Sequence, residues 1–213
     1  MSRDVTYSSY LDLDRILAAQ HPASGAHDEM LFIIVHQASE LWLKLCLHEL
    51  TEARVRIEED ELRPAFKMLA RVARAQQQLI QSWDVLSTMT PHDYSRIRPH
   101  LASSSGFQSA QYRMMEFMLG GRDAKHVRLH RGNEDWAERL EAETDRASLY
   151  DTAIRLLARR GFAISTDVLE REMGAAWRHD ATVEAAWAAI YRDPEAHWDL
   201  YVLAEKLVDL EYH

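Results

Sequence analysis

The sequence predicts an all-α protein, and three features lead there. Gly and Pro number only 7 and 5 of 213 residues, so Gly sits at about 3%, under half its usual ~7%, and tight turns are few. Leu, Ala, Glu, Arg and Gln, the strong helix formers, dominate the rest. Apolar residues recur at three- and four-residue spacing, whereas alternation of strand type is scarce.

The elements follow in order. A helical stretch over 7–20 is broken by His21-Pro22. A long helix opens after Ala26 and runs to about 59, with Asp28 and Glu29 at the positive end of its dipole. A second long helix covers 61–86. Connectors are expected at 88–92 and 103–106. Further helices are expected over 108–119, 134–144, 149–158, 166–172, 181–191 and 197–212. The stretch from Gly120 to Asp145 is more charged than its neighbours and reads as a peripheral excursion from the bundle. The pair Gly120-Gly121 reads as a turn, since no Walker A or G-x-G-x-x-G spacing surrounds it. No internal repeat or linker divides the chain, so residues 1–213 are expected to form a single domain.

Composition excludes several classes. One Cys removes a disulfide scaffold and any multi-Cys zinc or iron–sulfur site. A net charge of −9 opposes nucleic acid or an anionic membrane as the main partner. Apolar runs are expected to fall short of the ~20 residues that span a bilayer. Only Lys44, Lys67, Lys125 and Lys206 among the 25 basic residues are lysine; arginine suits bidentate carboxylate pairing.

The richest segment is residues 30–42, MLFIIVHQASELW. Six apolar residues precede His36, so the helix is apolar around most of its circumference and is expected to be buried. Phe32, His36 and Leu43 fall on one stripe. An imidazole in such surroundings is expected to be neutral and able to accept a hydrogen bond from a ligand. A core histidine tied to a backbone carbonyl fits the same spacing. A second cluster is PHDYSRIR (91–98) followed by SSSGFQSAQYR (103–113). Tyr94 and Arg98, four apart, would present a phenol beside a guanidinium, whose fork matches a carboxylate. The bland alternative is a solvated arginine and a helix N-cap. His126 and His130 have i, i+4 spacing but no partner to complete a metal site, and His36 and His48 are too far apart to share one. Cys46, in an apolar helix, reads as a structural thiol.

Taken together, YSSYL (7–11), HDEMLFIIVHQ (27–37), ELWLK (40–44), YSRIR (94–98), SSGFQS (104–109) and QYR (111–113) resemble the tryptophan 2,3-dioxygenase family. The similarity extends over nearly the whole chain, to LVDLE (207–211). It implies an all-helical bundle of the indole dioxygenase type in which His36 is the distal, catalytic histidine accepting the indole N–H. Phe32 would pack on the indole, with Ile33, Ile34 and Val35 completing that wall. Arg98 would clamp the substrate carboxylate beside Tyr94, and Ser105 would place a hydroxyl near haem and substrate. Trp83 would lie close to the haem. Tyr7, Tyr10 and Leu11 would reach a neighbouring subunit's pocket, implying a homo-oligomer, a tetramer in relatives.

The resemblance further implies a cytoplasmic enzyme with b-type haem. It would insert both atoms of O₂ across the indole 2,3 bond of L-tryptophan to give N-formylkynurenine, the first step of the kynurenine pathway. No nucleic acid or membrane partner is implied. The family's iron-ligating histidine follows a Trp-Arg-Phe-Arg-type run after the LVDLE segment, so no metal ligand is expected within this sequence and the proximal histidine is expected beyond His213. Two other readings use the same residues: a truncated or divergent member acting on another indole, and a non-catalytic helical protein that binds an indole.

Overall fold

The computed structural model describes residues 5–102, 108–122, 134–175 and 177–211, and among these every regular element is helical. The first elements are α1 (Tyr7–Leu11), α2 (Leu13–Leu17), α3 (Glu29–Glu58), α4 (Leu62–Leu86) and α5 (Pro91–Ile97), followed by a 3₁₀ turn at Arg98–His100. They continue with α6 (Ala110–Leu119), α7 (Glu134–Thr144), α8 (Leu149–Arg159), α9 (Thr166–Leu169), α10 (Ala181–Arg192) and α11 (Trp198–Glu211).

The bundle is organised around the α3–α4 hairpin. Only residues 59–61 join the two helices, so they run antiparallel, and Asp60 makes the corner with φ +63°. Arg71 reaches Glu49 across the hairpin at 3.1 Å, and that register sets residue 83 of α4 level with residue 37 of α3. Against this pair pack α6 and α8 on α3, α11 on α4, and α7 on α6. Leu50, Ile57, Leu69, Val72, Phe117, Leu156 and Leu203 are fully enclosed between them. Cys46 is buried in that core, and burial pushes its thiol up to about 11, as a structural thiol requires.

Local signals explain most boundaries. Thr90 and Asp93 form a capping box around Pro91, and Ser148 and Asp151 form another at α8. Gly120 ends α6 at φ +118°, donating its N–H to Glu116 and Phe117 carbonyls, which makes the Gly pair the turn that was expected.

Four expectations need correction. The 7–20 stretch is two short helices, because Asp12 adopts φ +52° and breaks the ladder. The connector expected at 88–92 already contains the start of α5. The far end of the 120–145 excursion is not peripheral: Leu140 and Glu143 of α7 are buried, and Glu143 pairs with buried Arg54 of α3. Arg122 anchors the near end, donating to Phe117, Thr144 and Met173 carbonyls at 3.3, 3.1 and 2.6 Å and to that of Arg146. Finally, α3 contains an 18-residue stretch of mean hydropathy 1.4, enough by length and composition to cross a membrane. Three of its charged residues are nevertheless held by partners within the fold, Glu49 by Arg71, Arg54 by Glu143, and Glu40 by Gln111 at 2.7 Å.

Candidate functional site at the start of the long helix

The first half of α3 differs from what its composition suggests. Between Met30 and Trp42 no residue is buried; Ile34 and Leu41 are 49% and 56% exposed. The expected dry surroundings of His36 are therefore absent in the single chain, and Phe32, Ile33, Val35 and His36 are half-buried. Apart from Glu29 at its head, the buried residues of α3 begin at Leu43; α6 meets the turn before that through the bonds of Gln111 to Glu40.

Hydrogen bonding orients the imidazole instead. Nδ1 of His36 lies 2.7 Å from the carbonyl oxygen of Phe32, one turn back. A carbonyl can only accept, so Nδ1 carries the hydrogen, and in the neutral ring Nε2 is left with its lone pair. The backbone-tied histidine and the ligand-accepting histidine are thus one arrangement. The Phe32 ring stands 4.2 Å from the imidazole, centroid to centroid, and 6.2 Å from the ring of Tyr94, both tilted by 36°. Three rings from α3 and α5 so form a row, although their positions are separated by up to 62 residues in sequence.

Arg98 begins the 3₁₀ turn one helical step beyond Tyr94, and its backbone N–H donates to the Tyr94 carbonyl. The guanidinium is solvent-exposed and donates from Nη1 to the carbonyl of Ala102 at 2.7 Å. Ala102 itself sits at φ +48°, unusual for a residue with a side chain. Asp93, at the head of α5, is held below the ordinary carboxylate range chiefly by the Thr90 hydroxyl.

The remaining candidates separate into groups. Trp83 lies level with this end of α3 and is 66% exposed, with Ile80, Trp42 and Tyr112 also exposed nearby in the fold. Tyr7 and Tyr10 are 77% and 78% exposed and Leu11 is exposed as well; none of them is buried by its own chain. Ser105 lies outside the described residues, as do His126, His130 and His213. Among the described residues no group of three or more His, Cys, Asp or Glu could hold a metal ion.

The residue types alone did not single out the side chains that fasten this end. Gln37 donates to the Ala19 carbonyl at 2.9 Å and accepts from Gln20 at 2.6 Å, tying the N-terminal segment beside His36. Glu29 is buried and accepts from the Ala23 and Ser24 N–H groups and the Ser24 hydroxyl, the last of which most strongly keeps its carboxyl below the usual range. Gln111 of α6 holds both the side chain and the backbone carbonyl of Glu40. The signal for Gln37 was visible: it interrupts an otherwise apolar run directly after His36.

Comparison with known proteins gives this geometry its context. The family model described as tryptophan 2,3-dioxygenase matches residues 1–146. A tryptophan 2,3-dioxygenase of Erythrobacter litoralis (strain HTCC2594) is 73% identical over 213 residues, all of this chain and 81% of the relative. Those of Burkholderia pseudomallei (strain 668) and Burkholderia mallei (strain SAVP1) are 57% and 56% identical over 210 residues, covering 99% of this chain and 69% of each relative. A match on this scale, carried on the segments that hold Phe32, His36, Tyr94 and Arg98, means that the chain belongs to the tryptophan 2,3-dioxygenase family.

Proposed function

We propose that this chain is an oxidoreductase that cleaves the indole 2,3 bond of L-tryptophan, inserting both atoms of O₂ to give N-formylkynurenine. The observation that carries this reading is the row Phe32–His36–Tyr94, in which a ring wall and an oriented imidazole stand together at one end of α3. A flat indole needs such an apolar face and a single acceptor for its N–H; Phe32 supplies the face and Nε2 of His36 the acceptor. Ile33, Ile34 and Val35 extend the wall.

Arg98 reads the carboxylate of the amino acid. Its present bond is a single one to a neutral carbonyl, whereas a carboxylate offers the guanidinium fork two parallel bonds and an opposite charge, so substrate replaces Ala102 as its partner. Tyr94, whose ring touches Phe32, sets the distance between the two ends of the ligand. The same reading gives the Ser105 hydroxyl a role toward substrate and haem, as the family resemblance implies.

Haem fits the chemistry of this end. Trp83, Ile80, Trp42 and Tyr112 present exposed apolar and aromatic surface where the α3–α4 hairpin opens, as a large flat macrocycle requires. When bound, haem supplies the activation of O₂, which no amino-acid side chain provides. The residues of this chain bind and orient the indole, hold its N–H at Nε2 and exclude water by their ring wall.

A second copy of the chain completes the site. Exposure of Tyr7, Tyr10 and Leu11 on helices with no buried residue supports their lying on a neighbouring subunit in a homotetramer, and a cytoplasmic location belongs to the same reading. The test is turnover of L-tryptophan by the haem-loaded protein under ¹⁸O₂. Two labelled oxygens in the product are expected. A product with one label, or preference for an indole lacking the carboxylate, would reject the assignment.

A further inference from the structure

Away from the Phe32–His36–Tyr94 row, α3, α6 and α7 enclose a groove of about 630 Å³. Its walls include Lys44, Leu47 and His48 of α3, Gln111 of α6, and Trp136 and Arg139 of α7. The volume lies in the range of small-molecule sites, which join an apolar wall to a few placed polar groups. Leu47 and the Trp136 indole form that wall.

The charges of the groove are unbalanced. Glu52, an acid on its rim, is held by Arg56 at 2.8 Å. The Gln111 amide is spent on Glu40. Lys44, His48 and Arg139 have no hydrogen-bond or ion-pair partner among the described residues, so two fixed cations and an imidazole face the same space. Arg139 lies over the Trp136 ring, its guanidinium carbon 4.1 Å from the ring centroid. That contact holds the guanidinium against the apolar wall, and its N–H groups, without an ion-pair partner among the described residues, are available to a carboxylate.

We propose that this groove binds a small aromatic carboxylate, its oxygens held by the edge of Arg139 and the ammonium of Lys44 and its ring lying along Leu47 and Trp136. The site is separate from the one assigned to the indole amino acid and does not depend on it. Lys44 stands two helical turns beyond His36, ~12 Å along the axis.

The probe is benzoate, titrated by calorimetry into the full-length, haem-loaded protein and its variants. Saturable binding is expected, weakened at least tenfold in Arg139→Ala and in Lys44→Ala. Arg139→Lys should fall between, because it keeps the charge and loses the fork. Both positions are exposed, and circular dichroism checks that the variants fold. Benzoate affinity should be unchanged in Arg98→Ala, while benzamide and inorganic phosphate should bind at least tenfold more weakly than benzoate. The proposal is overturned if benzoate does not saturate, if Arg139→Ala and Lys44→Ala leave it unchanged, or if Arg98→Ala abolishes it. Benzamide or phosphate binding as well as benzoate would overturn it too.

Discussion

The two halves of α3 are used in the opposite sense to their composition: the first is the more apolar, and the second is the one that is buried. From Leu43 to Ile57 the helix is core: Leu43, Cys46, Leu50, Ala53 and Ile57 are buried against α4, α6 and α8. From Met30 to Trp42 nothing is buried, yet this is where Phe32 and His36 stand. The difference teaches that apolar composition does not decide burial: the second half holds the bundle together, and under the proposed function the first half is what meets a ligand or a second copy. Stability and binding are thereby assigned to different turns of one helix.

Four substitutions break or sharpen that division. The largest effect is expected for Arg54→Ala in the second half. It leaves the buried carboxylate of Glu143 with only the more distant Arg146, at 3.7 Å, and breaking such a buried pair costs about 3–5 kcal/mol; the urea midpoint should fall accordingly. Leu50→Ala, at a position with no exposure, should cost about 2–5 kcal/mol by the same measurement, with turnover per folded molecule retained. Arg98→Ala inverts the pattern. Tryptophan binding should weaken by roughly 2–5 kcal/mol, the cost of truncating one partner of a charge pair, read as a rise in KM or Kd, while the urea midpoint stays within about 0.5 kcal/mol of wild type. His36→Ala should remove one hydrogen bond to substrate, about 1 kcal/mol or roughly fivefold in kcat/KM, again without a stability change. A large loss of stability in either of the last two would erase the distinction between the halves.

Acid should expose the same asymmetry. Burial of Asp151 opposes its charge, but the Ser148 hydroxyl and Arg171, at 2.5 Å, outweigh it and hold the carboxyl below its ordinary value of 3.8. A depressed folded-state pKa contributes stability that is present above the unfolded value and lost as pH falls through the folded one. The urea midpoint should therefore drop on acidification below about pH 4, and Asp151→Asn should be less stable at neutral pH with a shallower acid limb.

What the sequence made legible was set by local rules. Helices α3, α4, α6, α8, α10 and α11 follow from periodicity and composition, and their ends fall within a few residues of the expected ones. The break at Asp12 did not, because a left-handed residue in a polar stretch leaves no mark on the apolar pattern. Helix α5 was hidden by Pro91, although the Thr90/Asp93 capping box announces it. In the candidate site, the segments bearing Phe32, His36, Tyr94 and Arg98 were recognisable, but the contact of Phe32 with Tyr94 joins distant positions and has no local signature. The half-burial of residues 30–42 was hidden for a deeper reason: an all-round apolar helix reads alike whether it packs against its own chain or waits for another surface.

Arg122 has a consequence of its own. Its one guanidinium gathers main-chain oxygens from the end of α6, the end of α7, the turn at 146 and the loop at 173. Such a knot works as a strain relief. A pull on the chain beyond residue 122 is grounded there before it reaches the carboxylate that Glu143 holds against α3. Lengthening or rewriting the stretch between 122 and α7 should accordingly leave the hairpin and its ring row where they are.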